Sequence, residues 1–253
     1  MEIQTVLHWL YVAAMVGGAL LFWVWSRNPK GVPQYEYSIA MMIPIWSALA
    51  YMAMGLGQGK TEVAGQITHY ARYIDWVVST PLLLLALAFT AMFYVPKDER
   101  SKTLLFGLVA ADVVMIVCGL FADLSQDSTA RLVWFLCGVG AFFGVLYLVW
   151  GPVRQIAASS DPELGSIYNK LVSFLTVLWI SYPTIWALGP SGLQVFGQTT
   201  ETVLFVVVPF FSKVGFSILD LRYLRDLATR KPAYHHTPEV PSGTGKQPVQ
   251  WAH

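Results

Sequence analysis

Seven apolar runs, at approximately 4–25, 37–57, 73–95, 103–123, 131–151, 168–189 and 201–222, divide this chain. Each is close to the roughly 20 residues that an α-helix needs to cross the hydrocarbon core of a bilayer. Only 12% of the residues are charged, about half of what soluble domains carry, so a soluble globule of this size is excluded. The expected fold is all-α, a bundle of seven transmembrane helices occupying residues 1–230, with 231–253 as a cytoplasmic tail. The stretch "PAYHHTPEVPSGTGKQPVQWAH" is polar and rich in Pro and Gly, which predicts disorder there.

Lysine and arginine placement orients the bundle. The loops after the first, third and fifth runs, with the end of the seventh, carry Arg27, Lys30, Lys97, Arg100, Lys102, Arg154, Lys170, Arg222, Arg225, Arg230 and Lys231. The opposite loops and helix ends carry little beyond Lys60, Arg72 and Arg131. By the positive-inside rule the N-terminus is outside and the C-terminus cytoplasmic. The first run lacks a basic leading region and a small-residue cleavage site, so it is expected to stay as the first helix. Pro44, Pro81, Pro183 and Pro209 fall inside runs, which a membrane bundle tolerates where neighbours satisfy the freed carbonyls. Cys118 and Cys137 read as small buried hydrophobes rather than a disulfide or metal site. A net charge of +1 without a basic block, the last helix end apart, gives no footprint for nucleic acid.

Very few ionisable side chains lie inside the runs, where each costs about 2.5–3.5 kcal/mol on insertion scales. Lys213, in "FFSKVGFSILDL", is the single lysine at mid-membrane, and Asp75 and Asp112 are the acids at comparable depth. Arg72 and Asp75, three apart, share a helix face. Pro209, Lys213 and Asp220 also share one, because seven helical residues turn to about 20° short of two turns and rise about 10.5 Å. The result is a column of proton-binding groups, with Arg72 and Asp75 outward, Lys213 central and Asp220 inward. Lys213 is open to two readings. One is a buried ion pair with Asp75, which seldom improves on an apolar pair because two desolvation penalties offset the attraction. The other is a lysine whose tunable basicity suits it to forming a Schiff base. Trp76, Trp179, Tyr182 and Trp186, the last three at i, i+3 and i+7, favour the second, since large flat rings around one lysine suggest a slot for a flat apolar ligand.

The stretches "ARYIDWVVSTPLLLLALA" (71–88), "TVLWISYPTIWALGPSG" (176–192) and "ETVLFVVVPFFSKVGFSILDL" (201–221), with "HWLYVA" and "SRNPKGVPQYEY", closely resemble the microbial (type 1) rhodopsins. Within them the chain looks most like the xenorhodopsins and Anabaena sensory rhodopsin, over all seven runs. The resemblance implies all-trans retinal in the core of the bundle, bound covalently to Lys213 as a protonated Schiff base with Asp75 as counterion. It implies further that Trp76 and Trp179 sandwich the polyene and that Thr80, Met115, Gly119, Phe142, Tyr182, Pro183 and Trp186 line the pocket. Leu83, Met115 and Pro183 are expected to influence colour. A homotrimer is common among such relatives.

Departures from the family pattern bear on direction. In outward proton-pumping relatives, three positions of the third helix read Asp, Thr and Asp: acceptor, hydrogen-bonding hydroxyl and cytoplasmic donor. Here they read Asp75, Ser79 and Ala86, so the donor is missing. The second counterion aspartate of those pumps is Pro209 here, a mark of the xenorhodopsin and sensory branch. Asp75, with Arg72 as its expected partner, is then the one full anion near the lysine, while Asp220 supplies an acid on the inner side. The expected direction is inward, from Lys213 to Asp220, with reprotonation past Arg72 and Asp75. The competing reading makes Asp220 a solvated helix-end charge beside Arg222 and Arg225. Asp112 is expected to brace the pocket by a hydrogen bond; Glu36, His8, His69 and Glu201 lie near the membrane boundaries, where a place in a proton pathway is one reading and a surface or interfacial role the favoured one.

The leading reading is thus a retinal-binding photoreceptor that works as a light-driven inward proton pump in the plasma membrane of a microbe. Its alternative is a photosensor that signals to a soluble cytoplasmic transducer through the inner loops and tail. A retinal-free seven-helix scaffold is the third. Enzymatic catalysis is not expected, because the sequence offers no nucleophile with a positioned base, no metal cluster and no phosphate loop.

Overall fold

A computed structural model of the chain describes residues 3–232, so nearly all of the expected tail lies outside the described residues. Seven helices long and apolar enough to cross a membrane follow one another: α1 (Ile3–Ser26), α2 (Gln34–Gly55), α3 (Tyr70–Ala91), α4 (Lys102–Leu124), α5 (Ser128–Ser160), α6 (Pro162–Leu188) and α7 (Gln198–Arg230). An odd number of spans puts the start of α1 and the α2–α3, α4–α5 and α6–α7 connections at one end, the N-face. The other three connections and the end of α7 form the C-face.

Short side chains start the middle helices. The carboxylate of Asp127 accepts from the Ala130 N–H at 2.7 Å, and that of Asp161 from Glu163 and Leu164 at 2.8 and 3.1 Å, with Pro162 following where its missing N–H costs nothing. Ser101 caps α4 in the same way through the Leu104 N–H. Helices α5 and α7 overrun their apolar runs, by "PVRQIAASS" and "YLRDLATR" respectively, and α6 begins before its own. Apolarity reports the bilayer thickness, whereas these overhangs are held at the C-face by Arg230–Glu163 (2.6 Å) and Lys231–Asp161 (2.9 Å) pairs.

One element departs from the helical pattern among the described residues. Thr61–Val63 and Gln66–Thr68 form a two-stranded antiparallel hairpin, β1 and β2, at the N-face. Its two-residue turn places Ala64 at φ 50° and Gly65 at φ 76°, the positive-φ pair whose twist suits adjacent strands. Gln198 of α7 donates to Ile67 O at 2.8 Å, which ties the hairpin to the bundle.

Two helices contain a wide π turn, Val149–Val153 in α5 and Phe211–Gly215 in α7. The first holds Pro152, and the Tyr168 hydroxyl donates to Val149 O at 2.6 Å within it. The second holds Lys213, so the straight-helix count from Lys213 to Asp220 does not apply unchanged. Both residues nevertheless face the interior, fully buried or nearly so. Helix α3 is the most enclosed, while α4, α5 and α6 expose Phe106, Phe143, Tyr147 and Val177 as a lipid-facing surface requires. Cys118 is buried, but Cys137, expected to be buried, lies on the outward face of α5; both are free thiols.

Candidate functional site

Lys213 is 0% exposed at the centre of the bundle, and its ammonium donates to Asp75 Oδ2 of α3 and, at 2.8 Å, to Ser47 Oγ of α2. Ser47 in turn donates to Asp75 Oδ2 at 2.9 Å, which leaves the Tyr11 hydroxyl, 2.8 Å away, to donate to Ser47. One carboxylate oxygen, one ammonium and two hydroxyls from four helices therefore form a closed polar knot inside an apolar core. A buried pair of charges persists only when its remaining groups are bonded, and Ser47 does much of that bonding here. The other oxygen, Asp75 Oδ1, is buried without a protein partner, as are Ser79 Oγ and Trp76 Nε1 on the same helix.

Beside this knot lies an apolar cavity. Eight of the expected pocket residues line it: Trp76, Thr80, Met115, Gly119, Phe142, Tyr182, Pro183 and Trp186, and Trp179 makes a ninth. Leu83 does not; it is fully buried in the core on α3. The Trp76 and Tyr182 rings meet edge to face at 5.4 Å, and Trp186 stacks on Phe135 at 4.5 Å, so the walls are flat and rigid. A Cβ on Gly119 would come within 3.2 Å of the Tyr73 ring, so a larger residue there needs that ring to shift slightly. Asp112 meets the Thr80 hydroxyl at 2.5 Å, the expected brace. Lys213 is not itself a lining residue, since its ammonium is turned to Asp75 and Ser47. The cavity wall reaches the lysine through its chain neighbour Ser212, whose hydroxyl meets that of Tyr182 at 3.0 Å. An apolar cavity walled by aromatic rings, with a buried amine next to its wall, fits retinal, with the amine as the point of attachment.

The N-face arrangement differs from expectation. Arg72 pairs with Glu201 Oε2 of α7 at 3.0 Å, approaches His69 Nδ1 at 3.2 Å and lies 4.6 Å over the Phe205 ring, rather than bonding Asp75. Sharing a helix face with Asp75 does not decide where a long guanidinium goes, and the α7 carboxylate at the same level takes it. Glu201, His8 and His69 are buried rather than on the surface, and Glu36 is buried at the opposite end.

Asp220 is also buried, with its Oδ1 accepting from the Thr90 hydroxyl of α3 at 2.6 Å. It is therefore no solvated helix-end charge. Ala86, on α3 between Ser79 and Thr90, is buried too. Pro209 is buried one turn before the lysine, and the oxygen it leaves without a helical donor, Phe205 O, accepts from Tyr51 of α2.

Sequence reasoning missed Ser47, Tyr11, Tyr51 and Thr90. Ser47 and Tyr51 stand four apart in "IPIWSALAYMAM", so two polar groups on one face of an apolar helix were the available signal. Thr90 and Tyr11 carried none, because their partners come from other helices.

Over residues 2–227 the chain matches the family model described as bacteriorhodopsin-like protein. It is 36% identical to archaerhodopsin-3 of Halorubrum sodomense over 222 residues, covering 85% of this chain and 83% of that protein. Sensory rhodopsin-2 of Natronomonas pharaonis is 32% identical over 218 residues, covering 86% and 87%. Among solved structures, thermophilic rhodopsin from Rubrobacter xylanophilus superposes with a TM-score of 0.84 at 34% identity, over 90% of this chain and 98% of that one.

Proposed function

The chain belongs to the bacteriorhodopsin-like family of retinal-binding membrane proteins, and we propose that it is a light-driven inward proton pump of the xenorhodopsin type. The N-terminus would be outside and the C-terminus cytoplasmic in the plasma membrane of a microbe, as the lysine and arginine distribution indicates. Lys213 Nζ would hold retinal as a protonated Schiff base, and the bound group would supply the light-driven isomerisation beside that nitrogen.

The chain's own residues would give that movement its direction. Asp75 and Ser47 hold the proton at Lys213 Nζ on the outer side in the dark. With Pro209 in place of a second carboxylate, Asp75 is the single anion bonded there. On the inner side Ala86 has no proton to give, whereas Asp220 is a buried acid that Thr90 orients. The observation that carries the reading is this placement of Asp220 beyond Lys213 from Asp75. Asp220 takes the proton from the lysine nitrogen, and replacement comes from the outer side along Glu201, Arg72 and Asp75. Trp76, Trp179, Tyr182 and Trp186 hold the polyene and exclude water from the nitrogen.

The pH of a weakly buffered suspension of illuminated, retinal-supplied cells tests the proposal. Alkalinisation that a protonophore abolishes is expected; acidification would refute the direction. The similarity to a sensory rhodopsin supports the second reading, a photosensor with a soluble transducer. Coloured cells with no pH change would favour it.

A further inference from the structure

Glu36 is the buried acid that the pumping scheme leaves without work. It stands in the first turn of α2 at the C-face, 2% exposed, and neither of its carboxyl oxygens makes a hydrogen bond of good geometry. The charged groups that act on it are Asp220 of α7 and Arg100 of the α3–α4 connection, and the Tyr35 hydroxyl is the donor close to it. Arg100 directs its donors elsewhere: NH2 to the Tyr35 hydroxyl at 2.8 Å and to Met92 O at 3.4 Å, Nε to Val95 O at 3.3 Å. Its guanidinium also covers the Tyr35 and Phe89 rings at 5.4 and 5.2 Å, while Lys97 Nζ lies 5.3 Å over Tyr35. Tyr35 is thus held by two cations beside Glu36, on the same C-face side as Asp220 and its partner Thr90. An ionised carboxylate buried without donors is far costlier than a neutral acid, so an acid in this setting rests with its proton.

We propose that Glu36 is a second proton-binding site on the C-face side of Lys213, exchanging with Asp220, and that Tyr35 clamped by Arg100 closes it off from water. The proposal rests on Asp220 being the acceptor and adds the route onward. When Asp220 takes up a proton, Glu36 gives its own to water past Tyr35, and the proton on Asp220 then passes to the Glu36 carboxylate. One proton enters the pair and one leaves, so two buried anions never stand together, a pairing that like-charge repulsion penalises.

Light-minus-dark infrared spectra of the retinal-loaded protein in membranes, with proton release timed by a pH dye, test this. A carboxylic acid C=O band is expected that vanishes in Glu36→Gln, with dye-detected release slowed by about tenfold or more, the scale of one positioned acid. In Tyr35→Phe, exchange of that band into D2O in the dark should accelerate. Identical C=O bands in wild type and Glu36→Gln, or unchanged release timing, would overturn the proposal whichever way net transport runs. Outward net transport with the Glu36 band present would sink the inward reading and leave Glu36 a proton-binding site. If Glu36→Gln does not bind retinal, the Tyr35→Phe exchange decides, and no acceleration overturns the proposal.

Discussion

Tyr51 donates its hydroxyl to the main-chain oxygen of Phe205, four residues before Pro209. That oxygen is the one Pro209 cannot bond, because proline has no N–H. Two residues further on, α7 widens into a π turn, whose Ser212 hydroxyl reaches back to Pro209 O at 3.3 Å. A helix loosened at this point is therefore re-fastened by side chains, and the fastening sets where Lys213 leaves the helix toward Asp75.

If Tyr51 serves the oxygen that Pro209 frees, the two residues are coupled. Tyr51→Phe leaves a buried carbonyl without a donor, a loss of about 1–3 kcal/mol in general and nearer about 0.6 kcal/mol by the averages for bilayer proteins. Pro209→Ala returns an N–H to the helix, so Tyr51→Phe should cost less in that background. Rates of thermal bleaching for the four members of the cycle measure the coupling. Strictly additive effects would separate the bond from the proline.

Lys213→Ala should abolish the visible pigment altogether, since no other lysine among the described residues lies in the buried core of the bundle. The absorption spectrum after adding all-trans retinal to membranes is the measurement. A retained visible band would overturn the covalent assignment. The cavity itself should survive the change, so non-covalent uptake of retinal without a visible shift is the expected residue of binding.

The spans were legible in the sequence because a bilayer demands length and apolarity, which single runs display. The cavity was legible because Trp179, Tyr182 and Trp186 repeat along one face of α6 and Trp76 opposes them. Partner choice was not. Arg72 pairs with Glu201 across 129 positions of sequence, and Asp220 with Thr90 across 130, and no local pattern announces which of several acids or hydroxyls a buried group meets. The wide turn at Phe211–Gly215 was equally hidden, as hydropathy does not distinguish a π turn from an α turn. The burial of Glu36 was missed because its position near a run's end reads as interfacial when hydropathy alone is considered.

Asp220→Asn keeps the shape of the acid and its contact with Thr90 while removing its ability to take a proton. Inward transport should fall by about tenfold or more, within the range that a positioned proton acceptor contributes, with colour nearly unchanged because Asp220 does not bond Lys213. Initial rates of light-induced alkalinisation, normalised to visible absorbance, provide the comparison. Undiminished transport would remove Asp220 from the acceptor role.

His69 supplies a test that depends on pH. It precedes α3 at the N-face, where burial first and the neighbouring Arg72 guanidinium second push its imidazole pKa down to about 3. In the unfolded chain the same group titrates near about 6.5. Above that pH both states are neutral at this position and His69 contributes no pH dependence. Below it the unfolded chain binds a proton that the folded His69 refuses, so stability falls as the pH drops from about 6.5 toward about 3. His69→Gln should flatten this acid limb while lowering stability at neutral pH through the lost contact with Arg72. Thermal bleaching of the retinal-loaded protein at pH 7 and pH 4 measures both effects. An equally steep acid limb in the variant would place its source elsewhere, with His8, whose ring meets that of His69 at 5.8 Å, the next residue to replace.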